Sequence, residues 1–185
     1  MRRGGRCERN RLIAGELLGK AATENPAVFT LDASRFATHK RSRAQVAEER
    51  LQGHRVVLAK PMTYMNESGG PVKGLLDFYK VPFEHLVVVH DELDLPFASL
   101  RLKLGGGDNG HNGLKSLRSA LGTGDFLRVR MGIGRPPGRQ APSDFVLTSF
   151  PASLREEVAL EVGRAADATE ALLLRGLTAA QNDFN

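Results

Sequence analysis

Apolar residues recur at two spacings along this chain, and the changes of spacing divide it into helices and strands. The run Leu12, Ile13, Gly15, Glu16, Leu17 and Leu18 predicts a short helix closing near Thr23, while residues 24–43 carry little pattern. Val56, Val57 and Leu58 form a compact β-branched run, as do Leu86, Val87, Val88 and Val89, and both suit buried strands near the middle of a sheet. Between them Asn66 and Ser68 offer caps, Pro71 suits a first helical turn, and Val72, Leu75, Leu76 and Tyr79 share a helical face. Strand, helix, strand is the repeat of a parallel sheet with a right-handed crossover.

Alternation returns after Asp94-Leu95-Pro96. Leu100, Leu102 and Leu104 face one way and Arg101 and Lys103 the other, as in a half-buried strand. Residues 105–113 hold too many glycines for regular structure and read as a loop. Leu114, Leu117, Ser119 and Leu121 then predict a helix stopped by Gly122, and Leu127, Val129, Met131 and Ile133 a strand that sends Arg128 and Arg130 to its other face. Ser153 and Glu156 have capping-box spacing ahead of a last helix ending at Gly176. The expected architecture is α/β: a single three-layer domain over residues 1–185, with a mixed, mostly parallel sheet flanked by helices.

Composition narrows the class. A chain of 185 residues with 41% hydrophobic and 25% charged positions is neither disordered nor a disulfide mini-scaffold. Cys7 stands alone, no apolar run reaches membrane-spanning length, and the arginine-rich start lacks an apolar signal core, which together point to the cytoplasm. The net charge of +5 is unevenly spread. Residues 1–60 carry 13 basic and 6 acidic side chains, residues 101–139 carry eight against two, and the remainder is acidic. Such segregation suits a polyanionic partner, nucleic acid first, although an ordinary solubilising surface fits the charge alone about as well.

No phosphate-binding P-loop, serine elbow, HExxH or cysteine pair is present, so polar side chains without a cofactor or metal are the expected chemistry. Three segments concentrate them. His90-Asp91-Glu92-Leu93-Asp94 follows a strand, where an imidazole and carboxylates border the crevice of an α/β sheet, though Asp91 and Asp94 also suit a turn before Pro96. The loop from Gly105 to Gly113 brings His111 and Asn112 among glycines that let backbone approach a ligand, and Asn112 can donate and accept at once. Thr63-Tyr64-Met65-Asn66 offers an aromatic ring for stacking on a base or ribose, with Asn66 equally able to cap a helix and Met65 to fill a core.

Taken together, residues 61–70, 90–95, 103–114 and 126–137 resemble the bacterial peptidyl-tRNA hydrolase family in order and spacing, over roughly residues 36–182. The resemblance implies a monomer that uses no metal and cleaves the ester between a stalled peptide and the terminal ribose of tRNA, a task of translation and ribosome rescue. It implies Asp91, Asn66 and Asn112 as catalytic positions, with Asp91 holding the catalytic imidazole. Tyr64, Met65, Asn66 and Asn112 correspond to contacts with the tRNA 3′ end and the peptide, His111 to the glycine-loop histidine, and Lys103 and Arg130 to basic positions on tRNA phosphates.

Residues 1–35 depart from that pattern. The family opens with an apolar strand, Gly-Leu-x-Asn-Pro-Gly and Thr-Arg-His-Asn, whose histidine is the base, while here Arg9-Asn10 is the nearest match and all five histidines lie at position 39 or beyond. The central strand is therefore expected to be missing and hydrolysis to be slow, with His111 as the remaining candidate base. A loss confined to one end favours a truncated or frame-shifted start. The alternative is a catalytically impaired RNA-binding homologue on the same fold, like the related plant organellar splicing factors. A small-molecule hydrolase with incidental basicity is a third reading, and would not retain tRNA at low salt.

Overall fold

The computed structural model describes residues 11–15 and 36–185. They form an α/β fold in which mixed β-structure is flanked by helices, and they divide into two compact units. Among the described residues, one unit gathers 11–14, 36–87 and 105–126, and the other 15, 88–104 and 127–185. No helix of the described residues is long and apolar enough to cross a membrane.

The first unit is built on strands β1 (Arg11–Gly15), β2 (Ala37–His39), β3 (Ala44–Leu51) and β4 (His54–Pro61), lying side by side in the order β2-β3-β4-β1. β2 with β3 and β3 with β4 run antiparallel, while β1 pairs β4 in parallel, Leu12 opposite Val57 and Ile13 opposite Leu58. The expected helix from Leu12 is thus a strand over its first residues, and residues 16–23 of that expectation lie outside the described residues. Spacing alone does not separate a short apolar run in a helix from one in a strand, and pairing with β4 decides for the strand. The expectation that a strand beside β4 would be missing is corrected with it. Cys7 and Arg9-Asn10 also lie outside the described residues.

Val56, Val57, Leu58 and Ala59 are buried in β4, as the β-branched run suggested. Helix α1 (Gly69–Tyr79) covers the unit with buried Val72, Leu75 and Leu76, and packs against α2 (Asn112–Leu121), which buries Leu114 and Leu117 and ends at Gly122 with φ of +73°. Ser68 precedes α1 but makes no side-chain cap; its hydroxyl donates to the Met65 carbonyl at 2.7 Å.

The second unit holds most of β5 (Leu86–Glu92) with β6 (Leu100–Leu104) and β7 (Leu127–Gly132), in the order β5-β7-β6. β6 and β7 pair antiparallel, with Leu102 opposite Val129, both buried. Leu104, expected on the inner face, is exposed. Helix α3 (Pro142–Leu147) is a short addition that the apolar spacing did not reveal, and α4 (Arg155–Arg175) is the long terminal helix. The residue before α4 is Leu154 with no side-chain cap, so Ser153 sits inside a 3-10 turn rather than in a capping box. Beyond Gly176 a further helix, α5 (Leu177–Phe184), also escaped the spacing. Its job is visible in its bonds: Asn185 Oδ1 accepts from the Leu102 amide at 2.6 Å and Gln181 Nε2 donates to the Leu102 carbonyl at 2.9 Å, so side-chain amides stand where a further strand would bond to β6.

Gly132 ends β7 where the segment 95–99 crosses it. A Cβ there would lie 2.0 Å from the Pro96 carbonyl oxygen and 2.6 Å from Ser99 Oγ, while the Gly132 amide donates to the Ser99 carbonyl at 2.8 Å. Gly132→Ala is therefore expected to destabilise the protein by about 3 kcal/mol or more, because backbone must move. Gly163→Ala, inside α4 with nothing within 4 Å of its Cβ position, should instead stabilise it by about 0.5–1 kcal/mol. Urea titration of the two variants checks both signs.

Candidate substrate-binding site

Two chain segments that are distant in sequence meet in the first unit. After β4 the chain makes a 3-10 turn, Met65–Glu67, with the Glu67 amide bonded to the Tyr64 carbonyl at 2.9 Å. The turn leads into α1 and packs on α2. Gly69 makes that possible: its amide donates to Ser116 Oγ at 2.9 Å, and a Cβ on it would stand 2.2 Å from the Ser116 carbonyl oxygen. The first residue of α1, just after the turn, and α2 are thus in backbone contact. Tyr64 stands 82% exposed at the head of the turn, Asn66 is exposed on it and Met65 is half-buried. Asn112, exposed, is the first residue of α2. The structure therefore places Tyr64, Met65 and Asn66 in the segment that precedes Gly69, and His111 and Asn112 at the start of the helix that carries Ser116.

The glycine loop is organised by an acid. Asp108 accepts the Gly110 amide through Oδ1 at 3.2 Å and Arg118 Nη1 through Oδ2 at 2.8 Å, while its own carbonyl takes the His111 amide at 2.8 Å. Asn109 and Gly110 adopt φ of +47° and +80°, the tight reversal that delivers His111 to the head of α2. These bonds, the Gly110 amide first, hold the Asp108 carboxyl below its ordinary value. Sequence reasoning missed Asp108, Arg118 and Ser116 as supports, although an Asp two residues before a glycine in a loop is the usual mark of an Asx turn.

His111 caps α2, its Nδ1 accepting the Leu114 amide at 3.2 Å. With Nδ1 used as an acceptor, the neutral ring carries its proton on Nε2 and is a donor there. Protonating Nδ1 would break the cap.

The second unit holds the other expected positions. His90 is 2% exposed, its Nδ1 2.7 Å from the Asp91 carbonyl oxygen, so it belongs to the interior and not to a crevice. Asp91, next on β5, is half-buried. Glu92 is buried, its Oε2 accepting both Arg130 Nε at 3.0 Å and Nη2 at 2.9 Å, and Asp94 pairs with Arg135. Register sets Arg101 opposite Arg130 and Lys103 opposite Arg128, so four cations share one face of the β6–β7 ribbon. Arg101 and Lys103 are exposed and Arg130 is half-buried, but Arg128 is only 3% exposed, so the face opposite the apolar one is not solvated along its whole length.

Comparison with known proteins decides the family. The family model described as peptidyl-tRNA hydrolase matches residues 26–185. The chain belongs to the peptidyl-tRNA hydrolase family. A peptidyl-tRNA hydrolase of Frankia casuarinae is 59% identical over 152 residues, covering 82% of this chain and 77% of that one. One of Nocardia farcinica is 52% identical over 182 residues, covering 98% and 91%. Among solved structures of this family, a crystal structure of a peptidyl-tRNA hydrolase in complex with N-propanol superposes with a TM-score of 0.80 at 28% identity, covering 97% of this chain and 96% of the other. The Acinetobacter baumannii peptidyl-tRNA hydrolase gives 0.77 at 27% identity with the same coverage.

The Asp108 bonds have a pH signature. A carboxyl held below its unfolded value contributes stability above the ordinary carboxylate range and loses it as pH falls through its folded value. Asp108→Asn should lower the melting midpoint by about 2–4 °C near neutral pH. The difference from the parent protein should shrink towards zero in acid, as followed by circular dichroism across a pH series.

Proposed function

We propose that this protein hydrolyses the ester bond between peptide and tRNA in peptidyl-tRNA, acting as a monomer in the cytoplasm. The observation that supports the reading is the close approach of Gly69, two residues after the 65–67 turn, to Ser116 of α2, which ties the segment carrying Tyr64 and Asn66 to the helix that begins at Asn112, on a chain that belongs to this family. Tyr64 offers a ring for the terminal adenine or its ribose, and half-buried Met65 supports it from the turn. Asn66 and Asn112 carry amides able to fix the ester carbonyl and the peptide backbone, and Asn112 adds the positive end of a ten-residue helix where negative charge develops as water attacks. His111 donates from Nε2.

Asp91 is proposed as the carboxylate that orients the base and favours its charged form during the reaction. Lys103 and Arg130 are proposed as contacts for tRNA phosphates. Support comes from the β6–β7 register: like charges directly opposite each other oppose folding by roughly 0.2–1 kcal/mol per pair, and a phosphate ester laid on that face would relieve it.

No histidine precedes His39, and on this reading the base that Asp91 orients is left unassigned while the amides of Asn66 and Asn112 supply orientation and electrostatics. Purified protein incubated with peptidyl-tRNA should release the peptide, and Asn112→Ala should lower kcat/KM about 10–100-fold. Imidazole added to the buffer should raise kcat without changing KM, because removal of a positioned base costs about 10²–10⁴ in rate that a free base partly restores. No release at any enzyme concentration would overturn the hydrolytic reading. Retention of tRNA on the protein should fall steeply with salt, and Lys103→Ala should flatten the logarithmic slope by about one.

A further inference from the structure

Arg130 stands in a place where its charge is opposed. Register puts it directly across from Arg101, and Arg101 itself turns Nη1 onto the Leu100 carbonyl at 2.9 Å. The adjacent pair, Lys103 and Arg128, repeats the like-charge register one step along, with Lys103 exposed and Arg128 buried. A long cationic side chain under such repulsion, left to itself, would swing towards water and sample many rotamers. Glu92 prevents it. One carboxylate oxygen, Oε2, takes both Nε and Nη2 of Arg130, while the other, Oε1, accepts the Asp94 amide at 3.3 Å. Glu92 is 5% exposed, and its carboxylate is gripped from two sides by these bonds. Its residue is fixed as well, since the Glu92 carbonyl accepts the Ile133 amide at 3.1 Å just beyond β7.

We infer that Glu92 is a positioning residue: it clamps the Nε–Nη2 edge of Arg130 so that the guanidinium plane is set in advance and Nη1 is directed to one phosphate oxygen of the bound tRNA. The inference deepens the proposed function and rests on the reading of Arg130 as a phosphate contact. Its physical content is pre-organisation. A fork whose rotamer is fixed before binding loses less freedom when the phosphate arrives, and the effect belongs in affinity for the tRNA body rather than in the ester chemistry. Because Glu92 follows Asp91 on β5, the same strand end carries both the proposed chemical carboxylate and the one that orients the phosphate contact.

The test is a double-mutant cycle on peptidyl-tRNA with KM and kcat read separately. Arg130→Ala should raise KM about tenfold, and Glu92→Gln should raise it by a similar factor with kcat within about twofold of the parent value. In the doubly substituted protein KM should stand no higher than for Arg130→Ala alone. Arg130→Lys, which keeps the charge but cannot be held by two nitrogens on one oxygen, supplies a folded comparison should Glu92→Gln prove unstable, and it too should raise KM towards the alanine value. An unchanged KM in Arg130→Ala would overturn the reading of Arg130 itself. A raised KM in Arg130→Ala alongside a near-normal KM in Glu92→Gln, or in Arg130→Lys, would overturn the clamp while leaving that reading intact. Additive effects of Glu92→Gln and Arg130→Ala on KM would also overturn it.

Discussion

There is no room for a side chain between Gly69 and α2, and the placement of the candidate site follows from that lack of room. A methyl group on Gly69 would overlap the Ser116 carbonyl, whereas its absence lets the two backbones touch and the Gly69 amide bond to the Ser116 hydroxyl. The turn that carries Tyr64, Met65 and Asn66 immediately precedes Gly69, so it has no independent freedom from the helix that begins at Asn112. Precision in such an arrangement matters more than the strength of any single bond. Amide side chains that orient an ester carbonyl lose most of their effect if displaced by an ångström. Here, exposed residues are held by buried ones: Leu114 and Leu117 from α2, Val72, Leu75 and Leu76 from α1.

The second unit solves a different problem, that of keeping cations where they repel one another. The β6–β7 ribbon sets Arg101 against Arg130 and Lys103 against Arg128, an arrangement that folding alone would disfavour. Hydrophobic pairs such as Leu102 with Val129 on the opposite face hold the ribbon together, Glu92 neutralises one member, and the amides of Gln181 and Asn185 occupy the bonding groups of Leu102 on the edge strand. The buried apolar pairs and the cations thus occupy opposite faces of the same two strands.

Particular residues show why some of this was readable from the sequence. The β-branched runs of β4 and β5 and the alternation of β6 report burial on one or two faces, which is a property of local spacing, and they appear where spacing put them. The segment Arg11–Gly15 reads as the start of a helix because a short apolar run fits either period, and pairing with β4 breaks the tie. The pairing of Glu92 with Arg130 joins residues 38 positions apart, and the burial of Arg128 is likewise tertiary, which alternation cannot see. For the candidate site, residue types on glycine-rich or aromatic segments were legible. The supports were not: Ser116 and Asp108 are ordinary polar residues in sequence, and their roles come from the contacts that α2 and the glycine loop make. The same holds for His111, whose type suggests a base and whose Nδ1 bond makes it a donor.

The central claim is that the 64–67 turn and the head of α2 form one platform for the acylated end of tRNA. It is tested most directly by titrating isotope-labelled protein with a non-hydrolysable peptidyl-tRNA 3′-end mimic, in which an amide replaces the ester, and following backbone amide resonances. The account predicts that Tyr64, Asn66, His111 and Asn112 shift together along one saturation curve. Shifts at only one of the two segments, or two curves with different affinities, would contradict it.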